Sequence, residues 1–260
     1  MEHLISIVMH VHNRDIFLDK FLDMLKKQTY KNFELNILET SNLDSSISII
    51  KKYSNLFSIN CWLLHTKFVD RTKSLNFLVK QSKGDVICVV DVDVMKSPEY
   101  LEEVNLKISK NNFLIQYVKY LDQRNTFYFI KNQFDFEIIS EKVKEQQTKT
   151  GGKSQISIFK NIFLEIGGFD ERFFGWGYED SDLFFRLSLK SLIPIEISAL
   201  GIHLWHEASK MFKFRNDLIN LKIHQENVEN KIVIVKNVEN IRLENQWDPE
   251  TKPIKILGVI

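Results

Sequence analysis

Residues 86–93 read VICVVDVD, and the reading of this stretch decides the fold. A short, unbroken apolar run rich in β-branched residues has the character of a strand buried on both faces. It delivers Asp91-Val92-Asp93 at its carboxyl end. Upstream, residues 72–82 (TKSLNFLVKQS) have helical character and are stopped by Gly84. Further back, residues 4–11 (LISIVMHV) form a second apolar run, closed by His12-Asn13-Arg14-Asp15. Asp15 is placed to cap a helix in which Phe17, Phe21, Leu22 and Leu25 recur at helical spacing. Phe33–Leu38 reads as a strand ending at Glu39-Thr40-Ser41-Asn42, followed by a helix over Asp44–Tyr53 and a strand around Asn60–Leu64. Strands alternating with helices predict an α/β fold with a mainly parallel, doubly wound sheet. Ligands of such sheets sit beyond the carboxyl ends of the strands, where His12–Arg14, Glu39–Asn42 and Asp91–Asp93 all fall.

Beyond residue 94 the pattern loosens. Pro98–Lys110 is a helix candidate, and Phe113–Tyr120 and Thr126–Ile130 are strand candidates. Glu137–Thr150 is polar and reads as a solvated helix or a loop. Gly151-Gly152 leads into a strand plus helix (SQISIFKNIFLEI), and Pro194–Leu200 reads as a strand running into GIHLWH. A helix is expected over Ser209–Lys222. With no repeat or convincing linker, the economical division is one domain over residues 1–210 and a C-terminal extension over 211–260 packed on it.

The chain has 260 residues, of which 44% are hydrophobic, enough for a sizeable core. Its net charge of +1 gives no electrostatic case for nucleic acid. Cys61 and Cys88 are too few for a disulfide scaffold and match no metal motif. The first residues lack a basic leader, and no stretch approaches the roughly 20 apolar residues of a spanning helix. A soluble cytoplasmic protein is therefore expected.

The chemistry concentrates in residues 167–187, GGFDERFFGWGYEDSDLFFRL. Flexible backbone, aromatic rings and clustered carboxylates suit a sugar, which offers an apolar ring face and many hydroxyls. Helix capping accounts for one or two of Glu179, Asp180 and Asp182, but not for the GWG ahead of them. Asp180 is the candidate general base, because neighbouring acids raise a carboxylate's pKa. Asp91-Val92-Asp93 can offer carboxylates to a divalent cation if the chain bends there. His203 and His206 can join one ion only if the strand turns near Gly201 or Leu204, since residues three apart on a strand face opposite sides. An imidazole among carboxylates favours Mn²⁺ or a similar borderline ion over Mg²⁺. Neither a phosphate-binding GxxxxGK[ST] loop nor a GxGxxG is present, and a phosphatase would need an Asp nucleophile where only Asp15 stands.

Four segments now carry a resemblance: SIVMHVHNR, DRTKSLNFLVKQSKGDVICVVDVDV, GGKSQISIFKNIFLEIGGFDERFFGWGYEDSDLFFRL and HLWH. In that order they resemble the GT-A-fold glycosyltransferases, above all the β-1,4-galactosyltransferase group and bacterial chondroitin-polymerase-type family 2 enzymes. The resemblance covers roughly residues 4–210 and implies an inverting transfer from a UDP-sugar, assisted by Mn²⁺ or Mg²⁺. By that analogy His12, Arg14, Glu39, Arg71, Asn76 and Asp91 lie along the nucleotide, and Asp93, His206 and His203 hold the metal. Gly151, Gly152, Trp176, Gly177 and Glu179 would meet donor or acceptor sugar, with Asp180 as base. Glu39 stands where the family often has Asp, His203 where the animal enzymes have Met, and Ser181 where they have an acid. The resemblance implies transfer of galactose or an N-acetylhexosamine to a glycan or lipid-linked glycan acceptor in surface polysaccharide synthesis. A lipid-linked acceptor would bring peripheral contact with the inner membrane. The rival expectations are a non-catalytic sugar-binding module of the same fold and, more weakly, a nucleotidyltransferase.

Overall fold

A computed structural model describes residues 2–40, 44–64, 70–132, 136–145, 150–175, 177–207, 217–237 and 254–257. Its first half alternates strand and helix: β1 (Ile5–Val11), α1 (Asp15–Leu25), β2 (Phe33–Glu39), α2 (Asp44–Tyr53), β3 (Ser58–Leu63), α3 (Arg71–Gln81) and β4 (Val86–Val89). β3, β2, β1 and β4 lie side by side and run parallel. The alternation of β1 shows why they do so. Ile5, Ile7, Met9 and Val11 join a core with α1 and α2, whereas Val8 joins a second core with α3. A strand apolar on both faces needs a helix layer on each, and each fully buried aliphatic side chain contributes about 1.5–3 kcal/mol relative to exposure.

The second half adds β5 (Val94–Lys96), α4 (Tyr100–Lys107), β6 (Asn112–Tyr120), α5 (Gln123–Lys131), α6 (Phe136–Glu145), β7 (Thr150–Phe159) and α7 (Lys160–Glu165). α8 (Glu179–Leu189), β8 (Ile193–Glu196), β9 (Gly201–His203), α9 (Asp217–Glu229) and β10 (Ile254–Leu257) complete it. The sheet order is β10-β3-β2-β1-β4-β7-β6-β9-β5, with β8 beside β6. β7 is antiparallel to both β4 and β6, so its amino end lies at the carboxyl end of β4. The sheet is thus mostly parallel in its first half and mixed in its second.

Several local expectations are corrected. Residues 126–130 are helical within α5, not a strand. Asp122 accepts from the Asn125 N–H at 2.7 Å and caps the helix, and Thr126 and Phe129, one turn apart, supply its buried side. Residues 194–200 do not form one strand: β8 ends at Glu196 and β9 begins at Gly201, so two short strands edge β6. Asp15 is the first residue of α1 rather than its cap, and its carboxylate accepts from Ser46 at 2.5 Å. Gly151 and Gly152 lie inside β7, where Gly151 pairs with Val118. The C-terminal helix begins at Asp217 and runs past Lys222 to Glu229, while residues 208–216 lie outside the described residues.

Candidate active site

Because β2, β1 and β4 are parallel neighbours, Glu39, the His12–Arg14 loop and Asp91 emerge along one rim. β4 stops at Val89, and the Val94 N–H closes a turn onto the Asp91 carbonyl at 3.1 Å. The chain therefore bends within Asp91-Val92-Asp93, and the two carboxylates take different partners.

Asp93 meets the histidines. His206 Nε2 lies 3.1 Å from Asp93 Oδ2, and His203 Nε2 lies 3.8 Å from Oδ1. β9 ends at His203, and the chain leaves the sheet before His206, which lets both imidazoles reach one carboxylate. One ligand atom from each of Asp93, His203 and His206 falls within 4.8 Å of the others, the span of a single coordination sphere. His206 Nδ1 lies 2.8 Å from the Glu207 carbonyl and 3.3 Å from Arg14 Nη2. Protonated, the imidazole pairs directly with the Asp93 carboxylate; neutral with its proton on Nδ1, it offers Nε2 to a cation shared with Asp93. A backbone carbonyl on the far ring nitrogen is also the usual support of a metal-bound imidazole. The donor set of one carboxylate and two imidazoles suits a borderline divalent ion such as Mn²⁺ better than Mg²⁺. Burial works against the Asp93 charge, yet the His206 hydrogen bond, both imidazoles and Arg14 hold its pKa below the usual carboxylate value. The His206 pKa is raised, chiefly by its bond to Asp93. Arg14 adds its guanidinium 4.0 Å from Asp93.

Asp91 meets Arg71, the first residue of α3. Arg71 Nη2 donates to Asp91 Oδ1 at 3.1 Å, and its Nη1 reaches Asp180 Oδ1 at 3.5 Å and Glu179 Oε1 at 3.9 Å. One guanidinium therefore joins the end of β4 to the first turn of α8. Burial opposes the Arg71 charge, but Asp91, Asp180 and Glu179 together hold its pKa above the ordinary value. Asp180 pays the opposite way: burial pushes its carboxyl up, Arg71 pulls it down, and Glu179 and Asp91 push it up again, to about 7. Glu179 is fixed by the Gly177 N–H at 2.9 Å. Gly175 (φ 74°), Gly177 (φ 109°) and Tyr178 (φ 70°) all take left-handed backbone there, which explains the glycines of the motif.

The remaining expected residues distribute as follows. His12 Nδ1 lies 3.1 Å from the Thr40 hydroxyl, beside Asn13 in left-handed backbone. Glu39 is fully buried at the end of β2. Gly151 and Gly152 stand on the same rim, a few residues before Gln155 in β7. Asn76 does not reach this cluster. Its amide is buried against the core side, donating to the Phe169 carbonyl at 2.8 Å and accepting from the Phe169 N–H at 2.9 Å. There it holds the turn ahead of the motif, and a Cβ on Gly168 (φ 72°) would meet Asn76 Oδ1 at 2.4 Å. Trp176 lies outside the described residues.

Sequence reading missed a buried polar layer beneath the site. Gln155 donates to Asp91 Oδ2 at 2.8 Å, and Lys96 Nζ donates to Gln155 and Gln116, each at 2.6 Å. Burial brings the Lys96 pKa down to about 7. His10 also escaped notice: its Nε2 sits 2.8 Å from Thr40, and burial, with His12 and Arg71 nearby, brings its pKa down to about 3. The available signal was polar residues interrupting the apolar phase of β1, β6 and β7.

The geometry can now be set beside known proteins. The sequence model described as glycosyl transferase family 2 matches residues 6–169, well over half of the chain, and the one described as N-terminal domain of galactosyltransferase matches residues 136–205. The chain belongs to glycosyl transferase family 2. An uncharacterized glycosyltransferase of Haemophilus influenzae is 27% identical over 168 residues, covering 64% of this chain and 56% of its own. The crystal structure of S. aureus TarS 1-349 with UDP-GlcNAc superposes with a TM-score of 0.62 at 16% identity, covering 87% of this chain and 67% of that one. A mannosyltransferase from Pyrobaculum calidifontis, in complex with GDP-Man and Mn²⁺, superposes with a TM-score of 0.60 at 12% identity, covering 92% and 66%. These likenesses make the fold GT-A. The chain spans about half or less of the length of the curated relatives it matches, 56%, 36% and 52% for three of them.

Proposed function

We propose that this protein transfers a sugar from a UDP-sugar donor to a hydroxyl of a glycan acceptor with inversion. The observation that carries the reading is Arg71, which ties Asp91 at the end of β4 to Glu179 and Asp180 at the start of α8, beside the cluster of Asp93, His203 and His206. Asp180 takes the acceptor's hydroxyl proton; the freed oxygen forms the bond to the anomeric carbon as the bond to the diphosphate breaks on the opposite face. A carboxyl poised near neutral pH suits that task. Glu179, held by the Gly177 N–H, is oriented to accept a sugar hydroxyl. Mn²⁺ or Mg²⁺ on Asp93, His206 and His203 would neutralise the departing diphosphate. His12, Arg14, Glu39 and Asp91 line the side on which the nucleotide would lie. Galactose or an N-acetylhexosamine is the donor sugar this reading favours, and surface polysaccharide assembly on a lipid-linked acceptor is its setting. No helix among the described residues is long and apolar enough to cross a membrane; a lipid-linked acceptor would bring peripheral contact.

The test is a melting panel of UDP, GDP, CMP and ADP, each with and without Mn²⁺, on the parent and on His206→Ala. A ligand that binds only the folded state raises the midpoint, by about 2.7 kcal/mol of stability at a hundredfold excess over its Kd. The expected result is a rise with UDP that needs Mn²⁺ and shrinks in H206A. A flat panel on folded protein would point to the non-catalytic sugar binder, and a rise with GDP alone would replace the donor class.

A further inference from the structure

α9 lies beyond both matched segments, and its packing is inverted relative to an ordinary amphipathic helix. Leu218 (75% exposed) and Ile219 (58% exposed) face outward, while Asn220 and Asn227 are buried. Asn220, His224 and Asn227 recur at i, i+4 and i+7, one stripe of the helix. That stripe lies against the segment that leads into α8. Asn220 Nδ2 donates to the Phe174 carbonyl at 2.9 Å and to the Gly177 carbonyl at 3.0 Å, and its Oδ1 accepts from the Phe174 N–H at 3.2 Å. His224 stacks on Tyr178, with ring centroids 5.9 Å apart at 26°. Asn227 donates to Asp182 in the first turn of α8 at 2.7 Å and to Asp170 at 3.1 Å. A buried amide with both ends used on backbone is a strong geometric restraint, because each group it holds loses its partner if the amide goes.

We infer that Asn220 of α9 is a positioning residue for the Glu179–Asp180 pair. It acts through Gly177: the amide holds the Gly177 carbonyl, and the N–H of the same residue, one peptide plane earlier, holds Glu179 Oε2. Gly177 has φ 109° and no side chain to restrict the dihedrals between those two planes, so an anchor on its carbonyl narrows where its N–H can point. Glu179 in turn shares Arg71 with Asp180. The C-terminal helix is thereby part of the reaction machinery although it supplies no group that touches substrate. The catalytic part of this inference rests on the transferase reading; the geometric part does not.

The experiment compares the parent with Asn220→Ala, Asn220→Asp and the exposed control Asn230→Ala. N220D keeps the shape and the bond from the Phe174 N–H but loses both donors, which separates loss of the clamp from a cavity. Amide exchange at Phe174 and Gly177 is expected to quicken on the order of tenfold in N220A, with the interior of α8 unchanged. The kcat for transfer is expected to fall on the order of tenfold to a hundredfold, as small misplacements of catalytic groups do. The KM for donor and the UDP-dependent melting shift should stay as in the parent, and N230A should match the parent throughout. Exchange at Phe174 and Gly177 unchanged in both Asn220 variants overturns the inference, as does a kcat within twofold of the parent. If the parent itself transfers nothing, the transferase reading has failed, and the exchange measurement alone decides whether Asn220 holds the segment.

Discussion

Asp180 carries two opposed expectations that one substitution separates. In the folded protein its carboxyl is raised from an ordinary 3.8 to about 7, with burial the largest cause. A group whose folded pKa lies above its unfolded value favours folding while protonated, and that advantage disappears as pH rises through the folded value. Between those two pH values the ionised unfolded chain gains relative to the folded one. At 1.36 kcal/mol per pKa unit, the folded protein gives up on the order of 4 kcal/mol above pH 7, more than half of it between pH 5 and pH 8. Asp180→Asn has no proton to lose. Urea unfolding of the parent and of D180N should therefore diverge with pH, the variant gaining on the order of 2 to 3 kcal/mol relative to the parent between pH 5 and pH 8. Transfer should move the other way. D180N should lose a hundredfold to ten-thousandfold in kcat, and the parent's rate should fall about tenfold per pH unit below 7 as the base is protonated. UDP binding should persist in the variant, because Asp180 lies on the far side of Arg71 from Asp91. A stability difference that is flat with pH would refute the raised carboxyl. Transfer that survives within tenfold would remove Asp180 as the base.

Two further outcomes test the frame that holds the site. Arg186 is fully buried and donates to Asp182 at 2.7 Å and to the carbonyls of Ile166 and Gly168 at 3.1 and 2.7 Å. Arg186→Met should cost about 3–5 kcal/mol in urea unfolding, because it removes the countercharge of the buried Asp182 carboxylate and a donor from two carbonyls; a loss under 1 kcal/mol would refute that. Glu103 has its pKa held down to about 2 against burial, by Lys107 and by the hydrogen bonds of Ser198 and Ala199. Its folded value lies below its unfolded one, so its stabilisation is complete above about pH 4.5 and is lost as pH falls towards 2. Glu103→Gln should therefore lower the melting temperature at pH 7 and leave it nearly unchanged at pH 2. An equal loss at both would sink the argument.

How much of this was legible differs from element to element. β1, β2, β4 and the helices between them follow from apolar runs and helical spacing, because an apolar phase stays legible in each strand even where Ser6 and His10 in β1 or Glu34 and Asn36 in β2 interrupt the other. α5 was misread because residues 126–130 are β-branched and aromatic, while the Asp122 cap and the burial of Thr126 and Phe129 favour a helix. β8 and β9 were misread as one strand because both edge β6, in separate registers. Asn76 is placed along the nucleotide only by the resemblance; in the structure α3 turns its amide towards Phe169.

By itself the sequence determined the α/β class, the strand ends that gather on one rim, and the chemical character of the motif at 175–182. Those are consequences of local pattern: periodicity, glycine and the clustering of acids. Only the tertiary structure decided which groups meet. It joined Arg71 to Asp91 and Asp180, brought His203 and His206 to Asp93 where β9 ends, and set Lys96 and Gln155 beneath Asp91. It also turned the polar stripe of α9 inward onto the segment before α8. Such pairings join residues from about 20 to more than 100 positions apart. Their stability comes from desolvating charge beside its partner, which depends on distance and burial and on nothing that a local pattern records.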